Sequence, residues 1–306
     1  MITIVGPTAS GKTRLAAHLA RHIGSEVISA DSRQVYRGMD LGTGKDLSDY
    51  QVAGEQVPYH LIDIVPAGSK YNLYQYQHDF HRVYADLIAR GIQHPILCGG
   101  TGLYVESILG GYHLPEAPEN KALRASLQGL SLDELLARLQ SYGSKHNNKD
   151  VDTIQRAIRA IEIAEYTAES LRTAGAKEFA PVPSTIFCLQ LEREERRRRI
   201  TTRLMQRLSE GMTAEVEQLL ASGIAPEDLI YYGLEYKWLT LYVTGSIDYD
   251  TMRQQLEIAI HQFAKRQMTW FRGMERRGYT LNYIDALAPT EEQIAEILRL
   301  YPIESL

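Results

Sequence analysis

Residues 6 to 13 read GPTASGKT, a glycine-framed loop that ends in a lysine and a threonine and sits between a short apolar run and a segment of helical apolar spacing. Gly6 and Gly11 permit a backbone that turns successive N–H groups inward, with Pro7, Thr8, Ala9 and Ser10 between them. Lys12 sets a cation over bound phosphates, and the Thr13 hydroxyl can ligate Mg²⁺. The chemistry is phosphate binding. A protein that transfers a phosphoryl group usually adds a carboxylate at the end of a neighbouring apolar strand. Here the run 95–98 ends in Gly99-Gly100-Thr101-Gly102 with no acid, and Asp63 lies in mid-run within HLIDIV, a poor position for a magnesium ligand. Asp31, closing the run 26–30, is the one well-placed carboxylate. It can serve magnesium, act as a general base, or cap a following helix.

Residues 31 to 45, DSRQVYRGMDLGTGK, are dense in polar, glycine and basic residues just past a strand end, where open α/β sheets hold ligands. The turn at Gly99–Gly102 suits close backbone approach and offers the Thr101 hydroxyl to a phosphate oxygen, although such turns also serve as plain connections. Two basic clusters follow. Arg196 to Arg199, Arg203 and Arg207 give six arginines in twelve residues with no acid among them. Helical spacing aligns Arg196, Arg199, Arg203 and Arg207, a face that repels itself unless an anion is near. The segment AKRQMTWFRGMERR carries Lys265, Arg266, Arg272, Arg276 and Arg277 beside Trp270 and Phe271, a mixture that can bind a phosphate backbone and stack bases. At least one of the two aromatics is expected in the core. A third set, Gln155, Arg156 and Arg159, shares a helix whose apolar side is Ile154, Ala157, Ile158 and Ile161. The histidines show neither metal-ligand nor triad spacing.

The elements that position these residues can be read from the apolar pattern. Runs at 2–5, 26–30, 60–65, 95–98 and 184–191 read as strands, and the stretches between the first four as helices, which predicts a parallel sheet covered on both faces. The alternation stops near Gly110-Gly111. From Leu114 to about residue 180 the texture is polar, proline-marked and helical, so a helical insertion is expected at 114–180 within a core made of 1–113 and 181–306. After Leu191 the pattern reads as helical to the end.

The chain has 306 residues, 44% hydrophobic and 23% charged, enough for a large core and far from disordered or fibrous composition. Its net charge of −5 argues on average against nucleic acid, but local patches decide. Cys98 and Cys188 are too few for a disulfide framework or a cysteine zinc site, and both lie in apolar runs. With no charged leader and no long apolar stretch, a cytoplasmic protein without membrane contact is expected.

Taken in order, GPTASGKT, ADSRQVYRGMDLGTGK, GGTGLY, QRAIRAIEI, RITTRL and AKRQMTWFR resemble the tRNA dimethylallyltransferase family over about residues 1 to 275. The resemblance implies a P-loop NTPase-like α/β core with an inserted helical domain that clasps the anticodon arm. It implies transfer of a dimethylallyl group from dimethylallyl diphosphate, with Mg²⁺, to N6 of the adenosine just 3′ of the anticodon, in tRNAs reading codons that begin with U. Asp31 would then accept the N6 proton, Thr101 would donate to the bridging or leaving oxygen, and Arg203, with Arg199 as second choice, would neutralise departing pyrophosphate. The target base must be flipped into a channel with Asp31, Ser32, Arg33 and Gln34 at its mouth. The family's tRNA contacts map onto Gln155, Arg156, Ala157, Ile158 and Arg159, onto Thr101, Lys265 and Arg266, and onto Lys121, with Arg124 as the alternative there. A monomer is expected.

Two departures stand out. The family usually reads GY, a basic or polar residue and Glu where this chain reads Gly233-Leu234-Glu235-Tyr236, and Thr-Arg where it reads Ile260-His261. Both are expected on the RNA side, bearing on tRNA selectivity more than on prenyl chemistry. A free-adenylate isopentenyltransferase is the nearest rival, but a mononucleotide needs neither the insertion nor the basic-aromatic segment. A P-loop kinase is opposed by the missing acid, and an inactive tRNA-binding relative by the presence of Asp31, Lys12 and Thr101.

Overall fold

The structure, a computed structural model, describes residues 1–142, 151, 153–170 and 179–303. Parts of the expected insertion, 143–150, 152 and 171–178, lie outside them. Strand β1 (Ile2–Val5) leads through the phosphate loop into α1 (Lys12–Ile23) and β2 (Val27–Ser29). The next stretch is not the helix that the alternation predicts. It holds β3 (Tyr36–Arg37), a short 3-10 turn at Leu47–Tyr50, the hairpin β4 (Gln51–Val52) and β5 (Glu55–Gln56), then β6 (Tyr59–His60) and β7 (Val65–Pro66). Regular alternation resumes with α2 (Leu73–Ala89), β8 (Ile96–Gly99) and α3 (Gly102–Leu109). After the insertion come β9 (Thr185–Gln190), α7 (Arg193–Ser209), α8 (Met212–Ala221), α9 (Pro226–Tyr231), α10 (Leu234–Val243), α11 (Tyr249–Arg276), β10 (Leu281–Asp285) and α12 (Thr290–Leu300).

Six strands form a sheet ordered β10-β9-β1-β8-β2-β6, parallel throughout. Successive side chains alternate between its faces. Ile2, Ile4, Ile96 and Cys98 pack under α1 and α12, while Val5, Leu97, Ile186 and Cys188 pack under α2, α3 and the end of α11. Such two-sided burial is what the unbroken apolar runs require. A further core of Val35, Tyr36 and Met39 with α7 to α11 fastens the polar loop after β2 to the helical tail.

Two further expectations fail. The run 60–65 is not one strand: after His60, Leu61 and Asp63 adopt φ of 61° and 56°, the chain leaves the sheet, and Val65 joins β7 instead. It turns because residues 63–65 pair with the loop instead, Asp63 N–H donating to the Gln34 carbonyl at 3.0 Å and Ile64 N–H to the Val35 carbonyl at 2.9 Å. The tail is also not wholly helical. Gly278, at φ 95°, follows α11, and β10 then extends the sheet edge in register with β9, Leu281 opposite Ile186.

The chain divides into two compact units, Met1–Gly111 with Pro181–Leu306, and Tyr112–Ala180. The second contains α4 (Lys121–Leu127), α5 (Leu132–Ser141) and α6 (Ile154–Ser170), packed on Leu123, Leu127, Leu135, Leu139, Ala157 and Ile161. Its buried Glu162 accepts hydrogen bonds from Arg124, Arg159 and the Asn120 N–H. Burial opposes that charge, but these partners hold the carboxyl below its usual range. Among the described residues, no helix is long and apolar enough to cross a membrane.

Candidate active site

Strand register brings the chemistry together. Val5 lies level with Gly99, and Ser29 with Cys98, so the phosphate loop, Thr101 and Asp31 all leave the carboxyl edge of three adjacent strands, β1, β8 and β2. A cleft there is lined by Thr8, Lys12, Thr13, Asp31, Arg203 and Gln267, with the loop at 43–49 as a further wall.

The phosphate loop reaches its geometry through left-handed backbone at Ala9, φ 61°, and Gly11, φ 85°. Helix α1 starts at Lys12 with no side-chain cap, which leaves its first N–H groups facing the cleft. The Lys12 ammonium makes no hydrogen bond or ion pair among the described residues. Burial lowers its pKa below the ordinary lysine value, against the pull of Asp31. Beneath it, the Cys98 thiol donates to the Lys12 carbonyl at 3.5 Å, and burial pushes that thiol up to about 12.

No helix follows Asp31, so the capping alternative drops out. Its Oδ1 accepts the Arg33 N–H at 3.0 Å in a local turn. Thr101 Oγ1 accepts the Ser32 N–H at 3.0 Å and donates to Ser32 Oγ at 3.3 Å, which fixes its hydroxyl beside Asp31's segment. The other two residues expected at the channel mouth, Arg33 and Gln34, also line the cleft, held there by bonds to the loop at 42–44. Gln34 donates to the Gly44 carbonyl at 3.1 Å, while Arg33 donates to the Gly42 carbonyl at 3.1 Å and pairs with Glu235 at 2.6 Å. Burial works against the Arg33 charge, and Glu235 outweighs it, leaving its pKa raised.

Three of the four aligned arginines of α7, Arg199, Arg203 and Arg207, find anions within the chain, while burial and the charges of Arg272 and Arg193 lower the pKa of Arg196. Arg203 and Arg207 both bond the carboxylate of Asp46, Arg207 at 2.7 Å, while Arg198 and Arg199 hold Glu195 and draw its carboxyl down to about 2. Arg199 therefore turns to Glu195 and does not line the cleft; Arg207, one turn beyond Arg203 in the other direction, does. Burial and the neighbouring Arg207 lower the Arg203 pKa, with Asp46 opposing.

Several contributors were not anticipated. Gln267 Oε1 accepts the Thr8 N–H at 2.9 Å and its Nε2 donates to the Gly100 carbonyl at 2.9 Å, so one buried amide ties the phosphate loop to the glycine turn. A Cβ at Gly100 would come within 2.3 Å of that nitrogen. The signal lay in AKRQ, where helical spacing puts Gln267 on the buried face with Ala264 and Phe271. Glu215 accepts N–H groups of Asp40, Leu41 and Gly42 at 2.8, 2.7 and 3.1 Å and the Tyr236 hydroxyl at 2.6 Å, clamping the loop that carries Asp46. Lys45, in that loop, is buried against Asp40 and Asp63. Of the two departures, Leu234, Glu235 and Ile260 line the cleft, and His261 faces Glu257 at 3.6 Å.

Lys265 and Arg266 are exposed on α11, Phe271 is core, and Trp270 is 37% exposed. In the insertion, Gln155 and Arg156 are exposed and Ala157 is buried. Ile154 is not part of its apolar side, since at the start of α6 it is 45% exposed. Arg159 does not project freely either: it bonds Glu162 at 3.0 Å and the Ala117 carbonyl at 2.7 Å. Lys121 is exposed, and Arg124 is committed to Glu119 and Glu162. No group of three or more His, Cys, Asp or Glu residues able to hold a metal occurs among the described residues.

Comparison with known proteins points to one family. The family model described as IPP transferase matches residues 34–274, and the one described as isopentenyl transferase matches residues 1–56. The chain is 62% identical over 301 residues to a protein of Porphyromonas gingivalis named tRNA dimethylallyltransferase 1, covering 98% of this chain and 99% of that one. It is 59% identical over 300 residues to the protein of that name from Parabacteroides distasonis, covering 98% and 97%. Among solved structures, the tRNA isopentenylpyrophosphate transferase of Bacillus halodurans superposes with a TM-score of 0.70 at 30% identity, over 98% of this chain and 94% of that one. A eukaryotic dimethylallyltransferase acting on tRNA shares the fold, with a TM-score of 0.74 at 21% identity over 100% and 81%.

Proposed function

The chain belongs to the IPP transferase family, and on that premise we propose that it transfers the dimethylallyl group of dimethylallyl diphosphate to N6 of adenosine-37, just 3′ of the anticodon, in tRNAs that read codons beginning with U. The observation that carries this reading is the meeting of the phosphate loop, Asp31 and Thr101 at one sheet edge, walled by Arg203 and Arg207. The diphosphate lies against the loop N–H groups and Lys12. Adenine N6 attacks the allylic carbon, its proton passes to Asp31, and the carbon–oxygen bond breaks to release pyrophosphate. Thr101 donates to the leaving oxygen, and Lys12, Arg203 and Arg207 meet the charge that grows there.

Mg²⁺ fits as an ion carried largely by the substrate. Thr13 and Asp31 line the cleft and offer the few oxygen ligands that a Mg²⁺ ion keeping several waters takes from a protein. Thr13 would hold it, and when bound it lowers the charge cost of the departing diphosphate. For the RNA, Lys265, Arg266, Lys121, Gln155 and Arg156 offer exposed polar groups. The protein acts as a monomer.

The match of residues 1–56 to the isopentenyl transferase model supports a second reading, in which the acceptor is free adenylate. Incubation with radiolabelled dimethylallyl diphosphate and Mg²⁺, with unmodified tRNA in one tube and AMP in another, separates the two. Label in tRNA alone is expected. Label in AMP would replace the tRNA reading, and label in neither would end both.

A further inference from the structure

Helix α11 leaves the cleft carrying an alternation of rings and guanidiniums on one face. Positions 263, 266, 270 and 277 are spaced three, four and seven apart, so they share that face. Phe263 lines the cleft, and the Arg266 guanidinium lies 5.9 Å from its ring centroid. Arg277 lies 5.4 Å from the Trp270 ring and is fixed there by an ion pair with Glu106, itself 1% exposed. On its other flank Trp270 presses on the glycine turn, where a Cβ at Gly102 would come within 2.1 Å of the indole. Gly102 directly follows Thr101.

Core packing does not account for this ring. Phe271, the next residue, is fully buried, whereas Trp270 is 37% exposed and its indole N–H has no hydrogen-bond partner among the described residues. Leu103, beside it in sequence from Gly102, is 39% exposed. Lys265 and Arg266 supply positive charge on the same helix. A rigid, half-exposed aromatic with cations along its helix matches an unpaired nucleobase on a phosphate chain better than it matches an apolar partner.

We propose that Trp270 is a stacking platform for an unpaired base of the substrate RNA that neighbours the base entering the cleft. Phe263 and Trp270 are seven residues apart, about 10 Å along the helix, which is the span of about three stacked bases. The platform therefore positions the RNA and takes no part in bond making. It rests on the tRNA reading above.

Kinetics on an unmodified anticodon stem-loop test it. Trp270→Ala is expected to raise KM for the stem-loop by about tenfold, with Trp270→Phe recovering most of the loss, and to leave KM for dimethylallyl diphosphate within about twofold. In a Trp238→Phe background, where Trp270 is the only tryptophan, titration with the stem-loop is expected to quench its fluorescence. A KM for RNA that stays within twofold, or an unquenched indole, overturns the platform while the wild type still prenylates the stem-loop. A rise in both KM values also overturns it and assigns Trp270 to the support of Gly102. Failure of the wild type on any RNA would instead strike the tRNA reading itself.

Discussion

Asp46 holds the guanidinium of Arg203 by a direct hydrogen bond in the wall of the cleft. The cation best placed for a departing pyrophosphate is thus already neutralised by the protein, and an incoming anion must compete with that carboxylate. Asp46→Asn removes the competitor while keeping a hydrogen-bond acceptor. Pyrophosphate is expected to bind about fivefold more tightly by calorimetry at low salt. Weaker binding would mean that Asp46 serves to aim Arg203 and Arg207.

Asp31 accepts one backbone hydrogen bond and belongs to no helix cap, which leaves it available for proton transfer. Asp31→Ala is expected to lower kcat by about 10²- to 10⁴-fold, with dimethylallyl diphosphate affinity nearly intact. Single-turnover rates and equilibrium binding separate the two, and an unchanged rate would remove Asp31 from the base role.

Gln267→Ala strands the Thr8 N–H and the Gly100 carbonyl. An unfolding cost of about 1–3 kcal/mol is expected from the loss of these buried partners, together with slower turnover as the two loops lose their tie. Urea denaturation reads the first effect. An unchanged midpoint would show that water or a shifted backbone replaces the amide.

Lys12 has a pKa below the ordinary lysine value of 10.5, with burial the main cause. A bound diphosphate stabilises the ammonium and raises that pKa, so between the free and bound values binding takes up a proton. Affinity therefore falls as pH rises through the free-state value. Calorimetry in buffers of different ionisation enthalpy, run on the alkaline side of neutrality, is expected to show net proton uptake that Lys12→Met abolishes.

The insertion separates two arginines one turn apart in function. Arg156→Ala is expected to weaken tRNA binding with a shallower salt slope and no change in diphosphate affinity. Arg159→Ala instead removes a partner of the buried Glu162, so its effect is expected first in thermal stability of the insertion. The reverse pattern would reassign both.

How much of this was legible depended on range along the chain. The phosphate loop, Asp31 and the Thr101 turn are local motifs at strand ends, and strand period 2 places them correctly. Gln267, Glu235 and Glu215 act on partners far away in sequence, so only the folded register reveals that Glu235 meets Arg33 or that Glu215 clamps residues 40–42. Arg199 and Arg207 were indistinguishable by spacing alone, because either lies one turn from Arg203. Strand β10 was hidden because LNYID, a sheet-edge strand, lacks the unbroken apolar run of the buried strands, and the run 60–65 misled because Asp63 finds better partners in the loop than in the sheet.

The allylic diphosphate proposed for this cleft is an alkylating reagent, and Cys98 lies against the start of α1, next to the phosphate loop. Cys98 donates to the Lys12 carbonyl and, with burial pushing it up to about 12, stays a neutral thiol at physiological pH. Thiolate is the reactive form, so this sulfur does not rival adenine N6 as a nucleophile. On the proposed reaction, the burial that seats Cys98 beneath the phosphate loop thereby keeps its sulfur out of the competition for the allylic carbon.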